Sequence, residues 1–350
     1  MAAQTPDVII VGAGIVGGSI AWRLAQAGIA VTLLDAGTLG GEASWAGAGM
    51  LAPGGEFVTR SHWADFALES LRIYPRFVAE LQDESGLPID YRPCGALEFA
   101  RSDAEWQELR ARIAQQEPLG IRAEMRDGGL FYPGDALVDP RDITRALRCV
   151  CGQRGVRISE QTRVLAVKLA GGRVDLETSG GPMSAAAAVL SAGAWSGQVP
   201  VAGIQIPATF PVRGHLLGYA LEPGSLGPIL RHGHTYVMQR SNGFTIAGTS
   251  SEQVGFNREI DPLIVASIHA RACDLLPRLR SAPEPAAWLG FRPATESFVP
   301  CIGRLHDTRL WLAYGHYRNG ILLAPATADR ISGQITSSLG TDSPAPGGHP

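Results

Sequence analysis

Three glycines, Gly12, Gly14 and Gly17, follow the apolar run VIIVG at G-x-G-x-x-G spacing and lead into SIAWRLAQAG, with Asp35 placed 23 residues beyond Gly12. The first glycine of such a set permits a tight turn, the second lets backbone approach a pyrophosphate, and the third lets helix and strand pack closely. The helix that follows presents free amides to phosphate, and Asp35 can accept hydrogen bonds from a ribose diol. The chemistry is the binding of an ADP-ribosyl group, and the glycines alone do not separate NAD from FAD.

A second set of residues has the makings of an anion receptor. Arg318 stands between apolar runs in GHYRNGILLAPAT, and Arg292 stands between an aromatic residue and a proline in WLGFRPATES. A guanidinium is costly to bury alone, so each arginine requires either a protein carboxylate or a ligand. Tyr236, in HGHTYVMQR, reads equally well as a hydrogen-bonded core tyrosine. His232 and His234, two apart, would share one strand face and, with His215, could suggest a metal site. No carboxylate or thiol completes that set at ligand spacing, so no metal is expected.

Composition removes other chemistries. Lys168 is the only lysine among 30 basic residues and lies in VLAVKLAGGRV, without the context of a Schiff-base or P-loop lysine. The net charge of -3, with arginines scattered among carboxylates, leaves no basic stripe for nucleic acid. Cysteines 94, 149, 151, 273 and 301 form no C-x-x-C pair, and their odd count predicts free thiols in a cytoplasmic, reducing setting. Cys149 and Cys151 are expected on different faces of one helix. Only 15 uncharged residues separate Asp7 from Arg23, too few for a transmembrane segment.

These residues need a frame to hold them. VIIVG, SIAWRLAQAG and IAVTLLDAG form a β-α-β unit, followed by the small-residue stretch GTLGGEASWAGAGMLAP. A long helix is expected from about Ser61 to Glu84, closed by Gly86 and bent or interrupted at Pro75. A capping box, Ser102 with Glu105, opens the next helix, which stops at Pro118 and Gly120, and Asp139 with Pro140 opens a third. VRISE, TRVLAVKLA, RVDLETSG and AAAAVLSAGAW read as strands, and 204–257 reads as an antiparallel sheet. DPLIVASIHARACDLLPRL is a capped helix, RLWLAYGH a buried strand and ILLAPATADRISGQITSSL a helix.

The fold class is therefore α/β: a Rossmann-like dinucleotide-binding domain, discontinuous in sequence (1–85, 136–203 and 286–338), with an inserted α+β substrate domain (86–135 and 204–285). The substrate domain is built on a mixed, largely antiparallel sheet. The Pro- and Gly-rich tail, 339–350, is expected to be disordered.

Two motifs, EASWAGAGMLAP and GHYRNGILLAPAT, resemble the glycine oxidase branch of the D-amino acid oxidase family of flavoproteins. The resemblance covers nearly the whole chain, is weaker through 86–135 and is absent in the tail. It implies noncovalent FAD, with Ile15 and Val16 at the pyrophosphate, Asp35 and Ala36 at the ribose, and Ala43 and Ser44 at the phosphates. Ala48, Gly49 and Met50 would meet the flavin, Val164 the adenine, and Gly193 would allow close backbone approach. His316, Tyr317, Arg318, Asn319, Gly320, Ile321 and Leu322 would bring a helix start to the flavin. Small residues through 43–49 suit this, since a planar cofactor lies against backbone only where side chains are absent.

The resemblance further implies that Arg292 grips a substrate carboxylate through a two-pronged hydrogen bond. Tyr236 would add a contact and Arg318 a second positive charge, while His234 would stand near the substrate amine and Met50 would complete the pocket. Cys301 does not match the position of covalent flavin attachment, and Lys168 does not match the oxygen-activating lysine of secondary-amine oxidases. The activity implied is oxidative deamination of glycine, with sarcosine and small D-amino acids as further substrates. Molecular oxygen would become hydrogen peroxide, and the imine would hydrolyse to a 2-oxo acid or serve thiamine thiazole synthesis. Two other readings stand beside it: a dehydrogenase of the same fold serving a quinone or carrier, and a nucleotide-binding regulatory protein without catalysis. Homo-oligomerisation is left open.

Overall fold

The structure, a computed structural model, describes residues 5–126 and 128–340. Short runs of valine, leucine, isoleucine and alanine have no polar face to offer water, so they pair in the interior. Val8–Val11, Val31–Leu34, Ala187–Leu190 and Leu310–Tyr314 are buried along their whole length. They form the centre of a six-stranded sheet ordered Cys301–Arg304, Leu310–Tyr314, Ala187–Leu190, Val8–Val11, Val31–Leu34, Arg157–Ser159. Every pairing is parallel except that of the edge strand Cys301–Arg304. Strands from both ends of the chain thus share one sheet.

Successive side chains of Val8–Val11 leave on opposite faces. Ile10 joins a core with Trp22, Phe77, Leu147 and Ile331, contributed by the helices Ile15–Gln26, His62–Ser85, Pro140–Gln153 and Gly320–Gly340. Ile9 joins a second core with Val167, Val174 and Leu176 of a three-stranded antiparallel sheet. The result is a layer of helices, a parallel sheet and a small antiparallel sheet.

The caps are where the sequence puts them. Ser61 accepts from Ala64 N, Ser102 from Glu105 N, Asp139 from Arg141 N and Asp261 from Leu263 N. The helix His62–Ser85 is nevertheless continuous through Pro75, so the interruption that Pro75 could cause does not occur. Pro75 is exposed, so the carbonyl it frees can meet water, while Tyr74, Phe77, Val78 and Leu81 pack into the core on either side of it. Cys151 is buried and Cys149 half-buried, as their spacing predicts.

The second sheet has eight strands, ordered Ala286–Thr295, Thr209–Ala220, Phe244–Gly248, Thr235–Gln239, Ile229–His232, Ala96–Phe99, Gly129–Tyr132, Glu124–Arg126. Only the pairing of Ile229–His232 with Ala96–Phe99 is parallel. The helix Pro262–Leu275 packs on one face through Ile268 and Ala272 against Leu217, Tyr219 and Val237. The other face is left for the site. The boundary expected at 286 needs correction, because Ala286–Thr295 pairs with Thr209–Ala220 through ten residue partners and so belongs to this sheet. Leu339 and Gly340 close the last helix, and the remainder of the expected tail lies outside the described residues. Among the described residues no helix is long and apolar enough to cross a membrane.

Candidate active site

The glycine turn is built as its spacing requires. Gly12 has φ +99°, and any side chain there would overlap the Ser191 carbonyl. Gly17 lies against the Gly12 carbonyl and Ser191 Oγ, so its role is to let the helix approach the sheet. Gly14 caps that helix without a side-chain bond, leaving the helix start open toward the cavity it lines. Asp35 ties the turn together: Oδ2 accepts from Ala13 N and Oδ1 from Gly37 N, both at 2.7 Å. Burial raises its pKa, while those two backbone bonds oppose the rise. Ser44 Oγ accepts from Ile15 N at 2.9 Å and docks the short helix Ala43–Ala46 onto the turn.

From this turn a cavity of about 1210 Å³ runs between the two sheets. Gly12, Gly14, Ile15, Val16, Asp35, Ala36, Ala43, Ser44, Val164 and Gly193 line its first end. Ala48, Gly49, Met50, His316, Tyr317, Asn319, Gly320 and Ile321 line its middle, and His234, Tyr236, Arg292 and Arg318 its far end. Two expected contacts lie behind the wall. Gly17 serves packing, and Leu322 is buried in the helical core because the helix turns it inward.

At the far end the eight-stranded sheet supplies a row of cross-strand partners: Trp288, Leu216, Gly248, Tyr236, Arg231 and Glu98. Glycines make room for the large groups. A Cβ on Gly248 would stand 2.5 Å from the Tyr236 hydroxyl, and one on Gly214 would overlap the Arg292 guanidinium. Arg292 donates from Nη1 to Ser250 O at 3.1 Å and from Nη2 to Thr249 Oγ1 at 2.7 Å. Among the described residues no carboxylate forms an ion pair with it. Burial pulls its pKa down, while the nearby Tyr236 and Tyr317 act in the opposite direction. Tyr236 is 8% exposed, and burial pushes its pKa up to about 12, so the phenol is a neutral donor. A cation without an ion-paired carboxylate beside a neutral hydroxyl can offer both charge and a hydrogen-bond donor to a small anion.

Arg318 departs from the burial its apolar flanks predict. Its side chain is 45% exposed, and its Nε meets Glu56 Oε1 at 2.9 Å. His232 ends a strand and His234 occupies the tight turn before Thr235, so the two do not share a strand face. His232 Nε2 lies 3.2 Å from Glu105 Oε1, and His234 stands exposed on the rim. Among the described residues no group of three His, Cys, Asp or Glu side chains could hold a metal.

Sequence reasoning missed the side chains that hold the 45–50 loop. Arg240, 3% exposed, donates to the carbonyls of Ala48 and Val138. Trp288 Nε1 donates to Ala46 O at 3.0 Å and Arg141 Nε to Trp45 O at 3.1 Å. Gly49, at φ +90°, lies where a side chain would overlap the Val138 carbonyl. Arg231 was missed as well: its Nη1 meets Asp135 Oδ2 at 3.2 Å, and burial lifts Asp135 to a pKa of about 6. Spacing carries no mark of these roles. The one available signal was an arginine at the end of the apolar run YVMQ.

The cradle fits a long, flat dinucleotide. Its turn has no room for a side chain at Gly12, its helix begins at a glycine with Ser44 Oγ on the first amide, and its wall at 43–49 presents mainly backbone and small side chains. The profile of FAD dependent oxidoreductases matches residues 7–333. The chain is 30% identical over 342 residues to the glycine oxidase of Geobacillus kaustophilus, covering 92% of this chain and 90% of that one. The crystal structure of glycine oxidase from the same species superposes with a TM-score of 0.90 at 29% identity, covering 96% of this chain and 95% of that one. The bifunctional protein ThiO/ThiG of Trichormus variabilis is 33% identical over 350 residues, covering 94% of this chain and 52% of that one. The chain thus spans about half the length of this bifunctional relative.

Proposed function

We propose that this chain, which belongs to the FAD dependent oxidoreductase family, oxidises glycine and other small amino acids, sarcosine and small D-amino acids among them, to the imine and 2-oxo acid. The observation that carries the reading is Arg292, a half-buried cation with no ion-paired carboxylate among the described residues, facing the same cavity as the dinucleotide cradle.

FAD, held noncovalently, would supply the two-electron chemistry that couples oxidation of the substrate to reduction of oxygen to hydrogen peroxide. Gly12, Gly14, Ile15, Val16, Asp35, Ala36, Ala43, Ser44, Val164 and Gly193 would hold its nucleotide end. Ala48, Gly49, Met50, and the helix start at His316, Tyr317, Arg318, Asn319, Gly320 and Ile321, would hold the flavin end. The remaining task of the protein is orientation. Arg292 grips the carboxylate, Tyr236 donates a hydrogen bond to it, and Arg318, restrained by Glu56, adds positive potential. His234 at the rim stands toward the amine. Similarity to the bifunctional ThiO/ThiG protein supports thiamine thiazole synthesis as the use of the product. The unpaired thiols suit a cytoplasmic enzyme.

The test is anaerobic bleaching of the flavin by glycine, sarcosine and D-alanine, followed by peroxide production in air. Arg292→Ala should weaken kcat/KM by about 2–5 kcal/mol, the usual penalty for truncating one partner of a buried charge pair. Kinetics within threefold of the unsubstituted enzyme would remove Arg292 from this role.

A further inference from the structure

Gly214 faces the cavity beneath Arg292, and its neighbours Arg213 and His215 leave on the opposite face of the same strand. There they meet the segment 249–252, which carries both acceptors of the Arg292 guanidinium. Arg213 forms a two-pronged pair with Glu252, at 2.8 Å from Nη2 and 3.2 Å from Nε. The two residues also exchange backbone hydrogen bonds at 2.9 and 3.0 Å. Thr249 Oγ1 donates to His215 O at 3.0 Å, and His215 N donates to Ser250 Oγ at 3.0 Å.

The imidazole closes this network. His215 is fully buried. Asp261 N, which can only donate, lies 3.3 Å from Nε2, so Nε2 accepts and Nδ1 carries the proton. Nδ1 in turn stands 2.9 Å from Ser250 Oγ and 3.1 Å from Glu252 Oε2, and Ser250 Oγ donates to Glu252 Oε2 at 3.0 Å. The serine, histidine and glutamate therefore do not form a nucleophile with its base, because the hydroxyl proton is already committed to the carboxylate. What the network fixes is the position of Ser250 O and Thr249 Oγ1.

We propose that His215 and Glu252 are positioning residues for the carboxylate receptor: through Ser250 and Thr249 they hold the Arg292 guanidinium over Gly214 in the orientation a two-pronged contact needs. The inference rests on the reading that Arg292 receives the substrate carboxylate.

Acetate titrated into the FAD-loaded protein, followed by the change in flavin absorbance, separates the two ideas. If Arg292→Ala binds acetate as the unsubstituted protein does, the receptor reading falls and the inference falls with it. If Arg292→Ala loses acetate, the receptor stands, and His215→Leu is expected to weaken acetate by about tenfold and to raise KM for glycine while kcat stays within about threefold. His215→Asn, which keeps a donor at the Nδ1 position, should recover most of the loss. His215→Leu should have no further effect in the Arg292→Ala background, since the coupling runs through that arginine. Ser250→Ala, a nearly volume-neutral change in the same network, should weaken acetate in the same direction if His215→Leu does not fold. Acetate affinity within twofold of the unsubstituted protein in a folded His215→Leu, or in Ser250→Ala where His215→Leu does not fold, would overturn the proposal.

Discussion

His316 shows how burial alone sets the chemistry of a side chain. The ring is enclosed, its Nε2 lies 3.1 Å from Thr327 Oγ1, and desolvation pushes its pKa down from 6.5 to about 4. The unfolded chain therefore takes up a proton first as pH falls. The stability contributed by neutral His316 is complete above pH 6.5 and is lost as pH drops through about 4, up to about 3 kcal/mol in all. Urea midpoints measured from pH 7 to pH 4 should fall accordingly, and His316→Gln, which can still reach Thr327, should flatten that fall. An unchanged slope in the variant would assign the acid sensitivity elsewhere. At this scale the sequence was legible where a polar group sits in an apolar frame, as with Arg292 and Tyr236. The same rule misjudged Arg318, because flanking residues report the path of the chain and not the direction of a long side chain that reaches Glu56. Arg240 and His215 were illegible, since their partners are carbonyls and side chains distant in sequence.

Helices and strands were easier to foresee than their neighbours. The run AAWLGFRPAT carries no apolar-polar alternation and its buried residues do not fall at every second position, so nothing in it says which sheet receives it, and it joined the larger one. Beside Pro325, inside the helix Gly320–Gly340, the next helical bond receives outside help. Ser70 Oγ donates to Leu322 O at 2.6 Å and receives Ala326 N at 3.3 Å, so a hydroxyl from the neighbouring helix is inserted where the helical bond between those groups would be. Ser70→Ala would leave both backbone groups buried without that partner, at a cost of about 1–3 kcal/mol. Urea unfolding with the flavin absent would measure it. A loss below about 0.5 kcal/mol would mean that the helix restores its own bond.

Across the whole molecule, the cavity draws its walls from both sheets, so a bound dinucleotide bridges them. Saturating FAD should raise the stability of the apoprotein by about 2.7 kcal/mol at a hundredfold excess over Kd. A thermal melt that does not move with FAD concentration would contradict the cradle. Gly12→Ala should abolish that shift, because its side chain would displace the strand end at Ser191. The α/β class and the pairing of the two chain ends could be read from buried runs and helix caps. The route of the substrate pocket could not, since it depends on which glycine lies under which ring.

The order of synthesis gives the interleaved sheet one last meaning. The turn at Gly12 is made well before Leu310–Tyr314 and the helix that begins at Gly320, which complete the same cavity. A nascent chain arrested before Leu310 would hold half a cradle and should retain no flavin, so loading of the cofactor has to wait until that strand and helix have been made.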